Sequence, residues 1–342
     1  MFRLTTLLLL WPLLSIGQSQ ATIDAICKEI IPKEYPNIDG VLLKQGDQLL
    51  AEAYFNDWEY IHPHDTRSSF KGITSLLTGI AIDQGFLSLE DSLALFFPEL
   101  KGQAAGSIKV EHLLTMTAGF NCEENYGVGP DCESEMWETK DWIDYAINVR
   151  IKDDPGKNWS YNSNQPFLMG EVVARASKMS IIDFATKYLF DPLDIKDYEW
   201  YMTPKGKGYT AGSFNMRPRD MLKISELIRN KGRWQGKRIV SELWIKIATD
   251  CPLDIDFSFL RFSKMANAKY YSATYGYYWY RERMSYGDID TEVIFASGNG
   301  GQYMMYFEEY DLMVAFTGHA FGNWRMKRPF EFLLKYILPE LD

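Results

Sequence analysis

The spacing of apolar residues changes twice along the chain, and that change limits the folds open to it. Residues 40–55, GVLLKQGDQLLAEAYF, alternate apolar and polar side chains around Gly46-Asp47, the pattern of a β-hairpin. From Ile73 the period becomes helical: Ile73, Leu76, Leu77, Ile80 and Ala81 share one face, and Gly85 follows as a stop. Further helices are predicted over 109–117, 139–148, 167–178, 181–189, 217–230 and 241–249. Strand-like runs return at 275–280, 291–297, 301–307 and 311–318, and MKRPFEFLLKYILPEL closes the chain as a helix. This order lacks the regular β-α-β alternation of a doubly wound sheet. It predicts an α+β fold in which an antiparallel sheet, built from both ends of the chain, carries an inserted all-helical region. A cleft between two such lobes is a common site location.

The first 21 residues, MFRLTTLLLLWPLLSIGQSQA, have a basic start at Arg3, an apolar stretch and small residues at the −3/−1 positions of a signal-peptidase site. We read residues 1–21 as a signal peptide with cleavage near residues 17–21, and 22–342 as the mature domain, periplasmic or extracellular. Within it, segments 22–65 and 205–342 should form the sheet lobe and 66–204 the helical lobe. No later stretch has the length and apolarity of a membrane span. Lysine and arginine number 36 against 46 acidic residues, a net charge of −10, which speaks against nucleic acid as a partner. Only four histidines occur, His62, His64, His112 and His319, and they form no metal-binding pair. Any hydrolytic reaction therefore has few histidines from which to draw a base. Export permits disulfides. Cys122 and Cys132 bracket a short polar loop suited to a local bridge, while Cys27 and Cys251 could pair or stay free; three pairings remain open.

Three short segments could carry chemistry. Ser68-Ser69-Phe70-Lys71 lies where the helix over 73–84 begins. Residues three apart share a helix face, so Lys71 can stand beside the Ser68 hydroxyl. A partly desolvated lysine gives up its proton more readily and can then take one from a nucleophile. An isolated S-x-x-K is more often a capping serine with an exposed lysine. Trp159-Ser160-Tyr161-Asn162-Ser163 precedes the helix over 167–178 and could present the Tyr161 phenol to a cleft. Ser297-Gly298-Asn299-Gly300-Gly301-Gln302 sits between two strands, where glycines allow close approach to the backbone or simply make a tight turn.

Taken together and in this order, the segments resemble the serine β-lactamase and penicillin-binding protein superfamily, and within it the class C β-lactamase-like serine hydrolases. The resemblance rests on TRSSFKGITSLLTGIAIDQGFLSLEDS, EHLLTMTAGF, PGKNWSYNSN, AGSFNMRPRDMLKISELIRNKGRW and FASGNGGQYMMYFEEYDLMVAFTG, and spans roughly residues 35–338. It implies an acyl-enzyme on Ser68, with Lys71 as general base and Tyr161 as a second proton carrier. It also implies an oxyanion hole from the backbone N–H groups of Ser68 and Gly301, with Ser163, Gly298, Asn299 and Gly300 lining the substrate. No metal or organic cofactor is implied; the partner is a small ester, amide or peptide-like substrate. Two positions depart from the pattern. Ser163 stands where asparagine is usual, and Gly298-Asn299-Gly300 lacks the cation that would hold a substrate carboxylate. A neutral ester or amide thus fits better than a β-lactam. A non-catalytic binding protein and a D-Ala-D-Ala carboxypeptidase are the competing expectations. The loop over 121–136, with Glu123, Glu124, Asn125 and Tyr126, is placed by the same resemblance at the substrate entrance.

Overall fold

The computed structural model describes residues 11–124 and 130–341. Strands β1 (Ile38–Gln45) and β2 (Gln48–Tyr54) make the expected hairpin. Six strands from the second half complete the main sheet: β3 (Leu253–Asp254), β4 (Lys269–Gly276), β5 (Trp279–Tyr286), β6 (Ile289–Gly298), β7 (Gln302–Phe307) and β8 (Leu312–Gly318). Their order is β2-β1-β8-β7-β6-β5-β4-β3, with every neighbour antiparallel. Val41 of β1 lies opposite Phe316 of β8, so the two ends of the chain meet inside one sheet, as the sequence order predicts.

Helices cover both faces of the sheet. The alternation of side chains along β6 sets which face meets which helix. Phe295 packs edge-on against Phe330 of α6 (Arg328–Phe332), while Ala296 faces α2 (Phe70–Asp83). A Cβ at Gly72 of α2 would lie 2.9 Å from the Ala296 Cβ and 3.1 Å from the Trp279 indole, so glycine lets α2 lie close on the sheet. On its other side α2 packs against α3 (Asn164–Ser177), a helix of the same length. The amphipathic α4 (Pro218–Arg229) lies along β7 and β8, and α5 (Glu242–Asp250) packs on β5 and α2. The N-terminal helix α1 (Trp11–Glu34) lies against β1 and β2, burying Ile23, Cys27 and Ile31. It runs through residue 21. No helix among the described residues is long and apolar enough to cross a membrane.

Two details differ from expectation. Residues 275–280 are not one strand: β4 ends at Gly276 and β5 begins at Trp279. Tyr277 and Tyr278 between them have φ of +46° and +70°, the left-handed pair of a two-residue hairpin turn. Glycine or asparagine normally signals such a turn. Here two tyrosines hold it, each no more than 5% exposed, their burial offsetting the backbone strain. The charged look of β5 hid the strand for a related reason. Its Glu282 is buried and accepts hydrogen bonds from Ser258 Oγ at 2.6 Å and from the N–H groups of Phe259 (2.9 Å) and Leu260 (3.2 Å). Cys122 and Cys132 are disulfide-bonded, while Cys27 and Cys251 are free and buried.

Candidate active site

Ser68 stands in a single 3-10 turn, Arg67–Ser69, that runs directly into α2. Arg67 adopts a φ of +48°, rare for a side chain of its size, and the turn is tied down around it. The Arg67 N–H donates to Asp65 Oδ1 at 2.8 Å, and Ser69 Oγ donates to the Thr66 carbonyl at 2.7 Å. Thr66 itself donates through N–H and Oγ1 to the Phe214 carbonyl, at 2.8 and 2.7 Å. The turn thus holds the half-buried Ser68 at the head of a buried helix.

Lys71, one helical turn on, is only 2% exposed. A buried ammonium needs acceptors for its protons. Lys71 Nζ has three: Ser68 Oγ at 2.9 Å, the Ala211 carbonyl at 2.6 Å and Ser163 Oγ at 3.3 Å. The expected pair is therefore brought together, and the exposed-lysine alternative is excluded. Tyr161 joins it from the segment before α3, with its ring centre 5.1 Å from Lys71 Nζ.

Ser163 is 1% exposed and holds Lys71 from behind. Its backbone N–H donates to both Glu124 oxygens, at 2.8 and 2.9 Å, and its Oγ donates to Glu124 Oε2 at 2.8 Å. Burial, reinforced by the neighbouring Glu133, pushes the Glu124 carboxyl up to about 7, against the opposing pull of Lys71. The sequence reading put Glu124 at the rim and Ser163 against substrate. In the structure Ser163 faces the lysine, and Glu124 lies behind Ser163. The sequence signal for this is the bridged Cys122, two residues before Glu124, which fixes the loop. Asn125 and Tyr126 lie outside the described residues. The Ala211 carbonyl carries no sequence signal at all.

The glycine segment closes the other side. A Cβ on Gly298 would come within 2.3 Å of the Thr66 carbonyl oxygen and 3.0 Å of the Arg67 Cβ, so glycine lets β6 press on the nucleophile turn. The Gly298 carbonyl accepts the Gly301 N–H at 3.2 Å. The donor expected in the oxyanion hole is thus directed into a turn, because the chain folds back there to start β7. A trans peptide is planar, so the N–H of Asn299 points opposite to the Gly298 carbonyl, away from that turn. The Asn299 side chain is occupied elsewhere: its Oδ1 accepts the Gly322 N–H at 2.8 Å. Gly300, with φ of +105°, packs under the ring of Phe321, and the Arg67 guanidinium lies 4.8 Å from that ring's centre.

The histidines have other partners. Asp39 is fully buried and takes His64 Nε2 at 3.1 Å and His319 Nδ1 at 2.7 Å. His112 caps its own short helix, accepting the Lys109 N–H at 3.2 Å. Among the described residues, no group of three or more His, Cys, Asp or Glu is arranged to hold a metal ion.

This arrangement, a lysine-paired serine at the head of a helix packed on an antiparallel sheet, defines a class. The profile of the Beta-lactamase family matches residues 41–334, and the chain belongs to that family. It is 24% identical over 220 residues to the 6-aminohexanoate-dimer hydrolase of Paenarthrobacter ureafaciens, a match covering 61% of this chain and 56% of that protein. The chain thus spans little more than half the length of that relative. Solved structures agree in fold. A class C beta-lactamase from Rhodobacter sphaeroides superposes with a TM-score of 0.64 at 17% identity, covering 94% of this chain and 99% of the other. The D-amino acid amidase of Ochrobactrum anthropi SV3, solved with L-phenylalanine amide, gives 0.66 at 16% identity, covering 95% and 98%.

Proposed function

We propose that the chain is a serine hydrolase that cleaves an ester or amide through an acyl-enzyme on Ser68. The observation that carries this is the 2.9 Å contact between Ser68 Oγ and the Nζ of a lysine that is 2% exposed. Lys71, once one of its protons has left, accepts the Ser68 proton as Oγ attacks the carbonyl carbon. The tetrahedral oxygen is held by the backbone N–H groups of Ser68 and Asn299, with Asn299 replacing the Gly301 expected from the motif. Tyr161 delivers the proton to the leaving group as the carbon–oxygen or carbon–nitrogen bond breaks. Water then attacks the ester on Ser68, its proton passing by way of Tyr161 and Lys71 to the departing Ser68 Oγ, and the acid is released.

We take the substrate to be an uncharged ester or amide, since the nearby Arg67 guanidinium is already paired with Asp65. The 297–300 segment that would border it, Ser297-Gly298-Asn299-Gly300, carries no cation for a carboxylate. The local disulfide supports an exported location, since such bridges persist in oxidising compartments. N-terminal sequencing of the secreted chain checks this, with a start between residues 18 and 22 expected. The function is tested with short and long p-nitrophenyl esters, a chromogenic cephalosporin and a D-Ala-D-Ala peptide, assayed on wild type and Ser68→Ala. Ester turnover that survives in Ser68→Ala would remove the reading.

A further inference from the structure

We propose that Glu124 is a positioning residue that draws the extra proton off Lys71 through the Ser163 hydroxyl, and so sets the pH range in which Ser68 is attacked. This rests on the serine-hydrolase reading and adds to it a group that the sequence motifs do not contain. The geometry forms one continuous chain. Ser68 Oγ meets Lys71 Nζ at 2.9 Å, Lys71 Nζ meets Ser163 Oγ at 3.3 Å, and Ser163 Oγ meets Glu124 Oε2 at 2.8 Å. A hydroxyl both donates and accepts, so Ser163 can take a proton from Lys71 as it passes its own to Glu124.

The step balances without any outside reactant. Before it, Lys71 is an ammonium and Glu124 a carboxylate; after it, both are neutral and Ser163 is again a hydroxyl. Lys71 then has a free lone pair facing Ser68 Oγ. Such a transfer is easier the more readily the carboxylate holds a proton. An exposed glutamate is too weak a base for this. Glu124 is not exposed in that way. Glu133 faces it as a like charge and Lys71 as an opposite one, while the hydroxyls of Tyr209 and Tyr145 lie in its field. Tyr209 is itself fully buried, with its hydroxyl donating to Glu133. The pair is competent with one proton to share. When both Lys71 and Glu124 are protonated at lower pH, the transfer has no acceptor. Activity should therefore rise with pH as Glu124 ionises.

A glutamate that merely braced Ser163 would leave this rise in place. The test is the pH dependence of kcat/KM for a p-nitrophenyl ester, measured on wild type, Glu124→Gln and Ser163→Ala, with thermal melts to check folding. Wild type should show a rising limb in the neutral range. Glu124→Gln should lose about a hundredfold at pH 7 and shift its rise to more alkaline pH. Ser163→Ala cuts the same path at its middle and should behave alike, so it decides the matter if Glu124→Gln does not fold. A wild-type midpoint and rate in either folded variant overturns the proposal. If wild type itself shows no Ser68-dependent turnover, the hydrolase reading fails and takes this one with it; turnover with an unmoved profile sinks only the relay.

Discussion

The two sides of the site are built from opposite materials. On the α2 side the chemistry is held by side chains: Ser68, Lys71, Ser163 and Glu124 form one hydrogen-bonded line. On the β6 side it is held by backbone, and what matters at Gly298 is the absence of a side chain. The first side should be sensitive to removing atoms and the second to adding them.

Ser68→Ala should have the largest effect, a loss of roughly 10⁴-fold or more in ester turnover with the melting temperature nearly unchanged. Lys71→Ala comes next, at about 10³-fold. It also removes the ammonium from the Ala211 and Ser163 acceptors, so a melt should show a loss of about 1–3 kcal/mol. Gly298→Ala tests the other side by addition. One methyl must push β6 off the Thr66 carbonyl, and a shift of that kind near the reacting atoms costs about a hundredfold in kcat/KM. If Gly298→Ala is as active as wild type, the backbone side is not what it is described to be. Asn299→Ala should matter least, a few-fold at most, because its side chain bonds Gly322 and the proposed mechanism uses only its backbone N–H.

The same contrast explains what could be read from the sequence. Side-chain chemistry at fixed helical spacing was legible: Ser68 and Lys71 three apart, at the head of an apolar helix, define their own contact. So was the sheet, because β1, β7 and β8 are short apolar runs between turn residues, and helices on both faces bury them almost throughout. What depends on the path of the backbone was not legible. The Ala211 carbonyl under Lys71 looks like any other peptide group. The Gly301 N–H bends into a turn that the run of glycines permits but does not dictate. The Tyr277-Tyr278 turn lacks its usual residues because tertiary burial replaces local preference. Glu124 falls between the two cases. Its acidity was visible, but only the fold brings a residue 39 positions from Ser163 into contact with it.

Histidine scarcity acquires a physical meaning from this. His64 and His319 bracket Asp39, whose burial opposes ionisation while their hydrogen bonds and that of Asn56 hold its carboxyl below the usual range. That cluster stabilises the start of β1 and the end of β8, so replacing these histidines should lower stability without touching the proton path.

The central claim is that the buried lysine makes Ser68 the nucleophile. The most direct measurement is intact-mass analysis with peptide mapping after exposure of the folded protein to a fluorophosphonate probe. Wild type should gain one adduct, on the peptide carrying Ser68, and Lys71→Ala should acquire it much more slowly. No adduct on folded wild type, or a single adduct at another serine, would contradict the account.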